Sequence, residues 1–216
     1  VRATMDVNDG AGNRVIKFFT SLDGNSWTQL GTTVTQAGVT SIFDSTTVLS
    51  IGGTAGGTAG SGTYHRARIV NGYDGAGTVV FDANFALPAK LATSFPESSA
   101  NAATVTINTS GDTGARISGE RDLVQMTASK QPVYLAWSGT NYGFLNGVTG
   151  NYFSSPDSAA TSITGDIDLR CFASADSWVP GSAKDLVTKW LAGTNQRSYG
   201  LEVSSIGRLT LSWSTN

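Results

Sequence analysis

The chain has 216 residues, of which 14% are charged and 26 are glycine, and its net charge is −2. This length suits one all-β domain, and many glycines with few charges indicate short strands joined by tight turns rather than helices. The weak negative charge without a Lys/Arg cluster argues against a nucleic-acid partner, and no apolar run reaches the roughly 20 residues of a membrane-spanning helix.

The first part of the chain contains short runs in which apolar and polar residues alternate. The turn sequence DGAGN separates two such runs and predicts a β-hairpin, and the turn Asp23-Gly24-Asn25 precedes a further strand. Strands are predicted at residues 1–7, 15–19, 27–34, 48–52, 64–70, 78–81 and 103–107. The Gly/Thr/Ser-rich stretch 52–63 is predicted to be a surface loop rather than a domain linker.

The middle of the chain is less regular. The stretch between the strands at 78–81 and 103–107 contains Pro88 and Pro96 and is expected to be extended or irregular. Residues 108–122 are the most polar and the least patterned, so a hinge or seam of the chain is placed there. Two aromatic runs follow at 141–145 and 151–155, and later strands are predicted at 167–173, 185–190, 198–203 and 208–213. Turn signals recur roughly every 8–12 residues, which is typical of a β-sandwich.

Several segments resemble concanavalin-A-like (laminin-G-like) jelly-roll domains, above all those of bacteriophage virion and minor tail proteins. SPDSAATSITGDIDLR, DLVTKW, NQRSYGLEV and GRLTLSW resemble the front half of that domain. VRATMDV, TSLDGNSWTQLG and YHRARIVNG resemble its back half, and TASKQPVYLAWSGTNYG adds to the likeness. The resemblance implies an all-β antiparallel sandwich in permuted order, in which the back half precedes the front half.

This order predicts a back half at residues 1–72, connecting strands and the seam at 73–140, and a front half at 141–216. The two halves complete one sandwich within the chain, or each half completes a domain with a neighbouring copy or a flanking domain of a longer polypeptide. Two partial domains side by side are disfavoured because each would leave an open core and unpaired edges.

Candidate catalytic residues are few. Asp166 and Asp168 share a strand face, as a glycosidase pair would, but Asp166 lies in a turn and Arg170 stands where the next acid would follow. The chain has one histidine, His65, and no second histidine is present for a zinc site. Alternation places His65 on one face of its strand and Arg66 and Arg68 on the opposite face. We therefore predict no catalytic residues.

A cofactor is not expected, although a calcium ion at the rim is left open by the resemblance. The sequence Asp6-Val7-Asn8-Asp9-Gly10 lacks the EF-hand spacing. Loop acids that would serve as calcium ligands are Asp23, Asp157 and Asp176. The single cysteine, Cys171, alternates like a strand residue and is predicted to be a buried structural thiol.

Aromatic residues are the candidates for sugar stacking, since β-sandwich lectin sites pack an exposed ring on a pyranose. The candidates are Trp27, Trp137, Tyr142, Tyr152, Trp178 and Tyr199. Trp27 and Trp178 follow polar turn sequences and are expected to be exposed. Trp190 and Trp213 lie in alternating strand patterns and are expected to be core residues.

The sequence thus predicts a non-enzymatic structural or adhesive β-sandwich module, used in tandem in a virion tail or another extracellular assembly. Its expected partners are other copies or flanking domains, bound by strand pairing. A carbohydrate- or cell-surface-binding module is the alternative, and a degenerate glucanase-like hydrolase is a more distant one.

Overall fold

The computed structural model describes residues 1–54, 57, 59–110, 114–119, 141–191 and 196–215. These residues form fifteen strands and no helix. The strands are β1 (Arg2–Asp6), β2 (Asn13–Thr20), β3 (Thr28–Ala37), β4 (Leu49–Ile51), β5 (Ser61–Asn71), β6 (Thr78–Asn84), β7 (Ser94–Pro96), β8 (Thr104–Asn108), β9 (Ala115–Gly119), β10 (Asn141–Asn146), β11 (Tyr152–Ser155), β12 (Ile167–Ala175), β13 (Lys184–Leu191), β14 (Gln196–Val203) and β15 (Leu209–Trp213).

The strands form two antiparallel sheets, consistent with a β-sandwich. The first has the order β3-β2-β1-β12-β5-β10-β9, and β6 also pairs with β5. The second has the order β15-β14-β13-β4-β11-β8-β7. On one side of β5, its residues 61–64 pair with β10 and its residues 66–71 pair with β6, so two strands share that edge.

Strands from the two ends of the chain lie side by side in both sheets. β12 lies between β1 and β5, with Ala3 opposite Leu169 and Ile69 opposite Leu169 on the other side. In the second sheet, β13 pairs with β4 through Val187 and Ile51. Pairing within one chain therefore connects the segment 1–72 with the segment that begins at 141.

The core is formed by the alternate residues of both sheets. Buried rings pack together at its centre, with the centroids of Phe85 and Phe153 4.6 Å apart and those of Phe85 and Phe95 5.5 Å apart. Tyr64 packs edge-on against Phe153. Because burial of each large apolar side chain stabilises the fold by roughly 1.5–3 kcal/mol, this cluster contributes much of the stability.

The all-β prediction is confirmed, and the main differences lie in the middle of the chain. Part of the predicted seam, Ala115–Gly119, is strand β9 and pairs with β10. The stretch that was expected to be extended or irregular contains the short strand β7, in which Pro96 is the last residue. Pro96 is tolerated because β7 is an edge strand of its sheet. Among the described residues, no helical segment has the length and hydropathy to cross a bilayer.

Candidate functional site

The outer face of the first sheet carries a row of polar and aromatic side chains where β12 pairs with β5. Alternation along β12 buries Leu169 and Cys171 in the core and directs Arg170 and Phe172 outward. Cys171 is fully buried as predicted, and burial raises the pKa of its thiol to about 12. The neighbouring pairs are Arg170 with Arg68 and Phe172 with Arg66.

A β-bulge changes the position of the single histidine. The register shifts between Phe172 and Ala173, so Arg66 is opposite Phe172, Tyr64 is opposite Ala173, and His65 is the extra residue between them. Simple alternation predicted that His65 and Arg66 lie on opposite faces of β5. The His65 ring instead lies 5.1 Å from the ring of Phe172, which is the residue paired with Arg66. The prediction for His65 is therefore wrong, because the bulge interrupts the two-residue period.

Three rings on neighbouring strands form what we call the aromatic row: Tyr142 on β10, His65 on β5 and Phe172 on β12. The centroid of the His65 ring is 6.0 Å from that of Tyr142 and 5.1 Å from that of Phe172. All three side chains are partly exposed. The row is thus a shallow aromatic surface held by strands.

The loop between β2 and β3 packs against one end of this row. A Cβ atom at Gly24 would lie 3.2 Å from Cγ of Phe172, and Gly24 has φ +73°. Glycine alone fits this conformation and this close approach without strain. The Asp23 carboxylate holds the loop by accepting hydrogen bonds from the backbone N–H groups of Ser26 and Asn25. These hydrogen bonds hold the pKa of Asp23 well below its usual range.

A hollow of about 560 Å³, here called the cleft, opens beside the aromatic row. His65 and Phe172 form one part of its wall, and Leu22, Leu30 and Trp178 contribute exposed apolar side chains. Its volume is within the range of small-molecule sites, roughly 300–1,000 Å³. The cleft is therefore large enough for one or two sugar rings.

A much smaller hollow, the arginine hollow, lies on the other side of Phe172. It has a volume of about 20 Å³. Its lining consists of Gly24, Trp27, Arg66, Arg68, Arg170 and Phe172. Phe172 is therefore shared by the row, the cleft and the arginine hollow.

Buried carboxylates hold the three arginines in place. Arg66 donates two hydrogen bonds to Asp82, at 2.7 and 2.6 Å, and Arg68 donates one at 2.9 Å. Burial opposes ionisation of Asp82, but the two guanidinium groups outweigh it and keep its pKa below the usual value. Arg170 donates to Asp168 at 3.1 and 2.8 Å, and so does Arg2 from the neighbouring strand, at 3.0 and 3.1 Å.

The acid pair considered for catalysis does not form an open pair in the structure. Asp168 is fully buried between Arg2 and Arg170. Asp166 accepts a hydrogen bond from the backbone N–H of Val7 at 2.9 Å, and burial raises the pKa of its carboxyl. Asp168 thus connects β12 to β1, and Asp166 connects the residues next to the ends of these strands.

The predicted aromatic candidates lie in different places. Trp178 lines the cleft, Trp27 lines the arginine hollow and Tyr142 belongs to the aromatic row. Tyr152 lies on β11 in the second sheet, whereas Tyr199 is buried and donates a hydrogen bond to the Thr161 carbonyl at 2.9 Å. Trp137 lies outside the described residues. Trp190 and Trp213 are only partly buried.

The three candidate calcium ligands take part in separate interactions. Asp23 is used by its own loop, the Asp157 carboxylate lies 2.8 Å from the buried amine of Lys189, and Asp176 accepts a hydrogen bond from Ser61. Within the part of the chain that the structure describes, no three His, Cys, Asp or Glu residues are grouped as a metal site would require.

Sequence reasoning missed Phe172, Leu22 and Leu30 as site residues. Alternation through RARIV and DLRCF could have indicated that arginines share a face with Phe172, but the pairing of the two strands is not visible in sequence. Comparisons with family models, curated proteins and solved structures give no match for this chain. Its function must therefore be argued from these surfaces.

Proposed function

We propose that the chain is a non-enzymatic adhesive module of a virion tail or another extracellular assembly, built on a concanavalin-A-like (laminin-G-like) sandwich. Its attachment surface is the aromatic row together with the cleft, and its ligand is a carbohydrate. The observation that carries this proposal is that the aromatic row and the cleft form one continuous surface. His65 and Phe172 belong to the row and also line the cleft.

The chemistry of this surface suits a sugar. A pyranose ring has apolar faces that pack on aromatic rings, and hydroxyl groups that need hydrogen-bond partners. The row and Trp178 supply rings, and Ser21, Ser174 and Thr20 supply hydroxyls along the cleft. Because the row lies on paired strands, little conformational entropy is lost when a ligand binds.

The position of the acids also supports a non-enzymatic module. A retaining glycosidase needs two carboxyl groups about 5 Å apart on either side of the scissile bond. Asp168 is buried between two guanidinium groups, so it is not accessible to a substrate. The buried acid serves to hold strands together.

A glycan array with the intact chain tests the proposal, followed by titration calorimetry with the sugar that gives the strongest signal. Trp178→Ala and Tyr142→Ala are each expected to weaken binding by about tenfold or more, as for aromatic residues at the centre of an interface. Tyr152→Ala, which removes a partly exposed ring from the other sheet, is the matched control and is expected to leave affinity unchanged.

Two results would contradict carbohydrate binding at this surface. One is the absence of a signal for any sugar on the array. The other is loss of affinity in Tyr152→Ala with none in Trp178→Ala, provided that thermal unfolding shows all variants to be folded.

A purely structural role is the second candidate, and strand β3 favours it. All ten residues of β3 are exposed, β2 is its only partner among the described strands, and its sequence TQLGTTVTQA has no charge or proline to block strand addition. Sedimentation velocity over a range of concentrations tests for pairing between copies. Val34→Lys is expected to reduce association and Leu87→Lys, at an exposed loop position, to leave it unchanged. A monomer at every concentration would contradict this role.

A further inference from the structure

The arginine hollow presents positive charge to solvent while the matching negative charge is buried. The side chains of Arg66, Arg68 and Arg170 are 38%, 25% and 18% exposed. Those of Asp82 and Asp168 are 7% and 0% exposed. Three guanidinium groups line the hollow, and two carboxylates lie behind them, one of which, Asp168, is also shared with Arg2. The local surface is therefore cationic.

These arginines also retain unused hydrogen-bonding capacity. A guanidinium carries five N–H donors, yet the contact of Arg68 with Asp82 uses only its Nη2. The Nε of Arg68 is buried and has no hydrogen-bond partner among the described residues. The N–H groups that the three arginines do not use toward Asp82 and Asp168 are the donors for an oxygen atom that enters the hollow.

The size of the hollow limits what can enter. Its volume of about 20 Å³ admits a single oxygen atom, since a water molecule needs at least about 10–15 Å³ by this kind of measure. The rest of the ligand must stay outside, against Phe172 and Trp27. Because Phe172 belongs also to the aromatic row and the cleft, a sugar on the row lies beside the hollow.

We infer that the ligand is an acidic saccharide, and that the arginine hollow binds one carboxylate oxygen of a sugar packed on the aromatic row. This inference rests on the proposed carbohydrate function and names its ligand class. A carboxylate is planar and pairs with the fork of a guanidinium, so one of its oxygens fills the hollow while the other accepts from an arginine at the surface.

Matched pairs of ligands test the inference. Titration calorimetry compares 3′-sialyllactose with lactose, and an oligogalacturonate with its methyl ester, which lacks the charge. The acidic member of at least one pair is expected to bind about tenfold tighter or more, and to lose that advantage as salt is raised.

Substitutions of single basic residues test whether the arginine hollow causes the preference for the acidic ligand. Arg66→Gln is expected to reduce acid binding to the level of the neutral ligand, and Arg66→Lys, which keeps the charge without the fork, to cause a smaller loss. In both variants Asp82 keeps its contact with Arg68, and thermal unfolding checks the fold. Lys90→Gln removes one exposed positive charge that lines neither hollow and is expected to leave affinity unchanged.

The outcomes separate the two proposals. Equal affinity for acidic and neutral ligands overturns the inference and leaves the carbohydrate function standing. Binding of no saccharide overturns both. Tighter binding of a 3′-sulfated lactose than of 3′-sialyllactose overturns the assignment to a carboxylate, as does equal loss in Arg66→Gln and Lys90→Gln.

Discussion

The buried carboxylate of Asp168 is predicted to be essential for stability, and replacing it with asparagine tests this directly. Asp168 is fully buried and receives hydrogen bonds from two arginines, Arg2 on the adjacent strand β1 and Arg170 on its own strand β12. Asparagine has the same shape but only one acceptor oxygen and no charge. Asp168→Asn therefore leaves Arg170 without its carboxylate, and leaves Arg2, whose side chain is only 7% exposed, with Asp74 alone, 3.3 Å away.

The expected cost follows from the burial of this network. Removing one partner of a buried ion pair typically destabilises a protein by about 3–5 kcal/mol, because the other charge stays buried and uncompensated. Arg170 is more exposed than Arg2 and recovers some hydration, and Arg2 keeps its ion pair with Asp74, so we expect the lower end, about 3 kcal/mol. For a chain of this length, that corresponds to a fall in melting temperature of roughly 6–12 °C.

Asp166→Asn is the matched control, two residues away on the same side of the chain. The Asp166 carboxyl accepts one hydrogen bond from the backbone of Val7, which an asparagine oxygen can also accept. Burial raises the pKa of Asp166, so folding disfavours its charged form at neutral pH. Removing that charge is expected to change the free energy of unfolding by less than about 1 kcal/mol.

Urea denaturation at pH 7, followed by tryptophan fluorescence, measures both variants. The expected result is a lower midpoint for Asp168→Asn with an unchanged slope, and a midpoint for Asp166→Asn close to that of the original chain. Equal midpoints for the two variants would refute the proposed role of the buried carboxylate in connecting β1 to β12.

Three further predictions concern single groups. Gly24→Ala is expected to destabilise the fold by about 1–2 kcal/mol in urea denaturation, because alanine is strained at φ +73° and its Cβ would crowd Phe172; an unchanged midpoint would show that the loop moves freely. Since burial raises the pKa of the Cys171 thiol to about 12, the native protein should not react with a thiol reagent at pH 8 but should react fully in guanidinium, and fast native labelling would contradict its burial. Tyr199→Phe removes the donor to the buried Thr161 carbonyl and should cost about 1–2 kcal/mol of unfolding free energy, whereas no loss would indicate that water replaces the hydroxyl.

The strands could be predicted from the sequence because their signals are local. Alternation and glycine-rich turns identified β1, β2, β5, β12 and β14 close to their observed bounds. β9 was missed because Ala115–Gly119 is short and lies in the most polar stretch of the chain, and its strand conformation depends on pairing with β10. Local patterns do not report such nonlocal pairing.

The site was less predictable, because it depends on which strands become neighbours. Trp27, Tyr142 and Trp178 were identified individually by their turn or aromatic context. Tyr142 lies in one row with His65 and Phe172 because β12 pairs with β5 and β5 with β10, strands far apart in sequence. Trp27 and Trp178 lie in the loops that follow β2 and β12. Arg66 and Arg170 likewise line one hollow only because of that register.

The bulge at His65 shows how a single irregularity creates the proposed site. Without it, a two-residue period counted back from Arg66 would place His65 on the buried face with Ala67, away from the face of Phe172. With it, His65 fills the gap between Tyr142 and Phe172, and three separate side chains become a continuous row. The polar ring of His65 would be unfavourable in the core, and on the surface it connects the row to the cleft. The bulge that made the predicted position of His65 wrong therefore also makes this surface suited to a ligand.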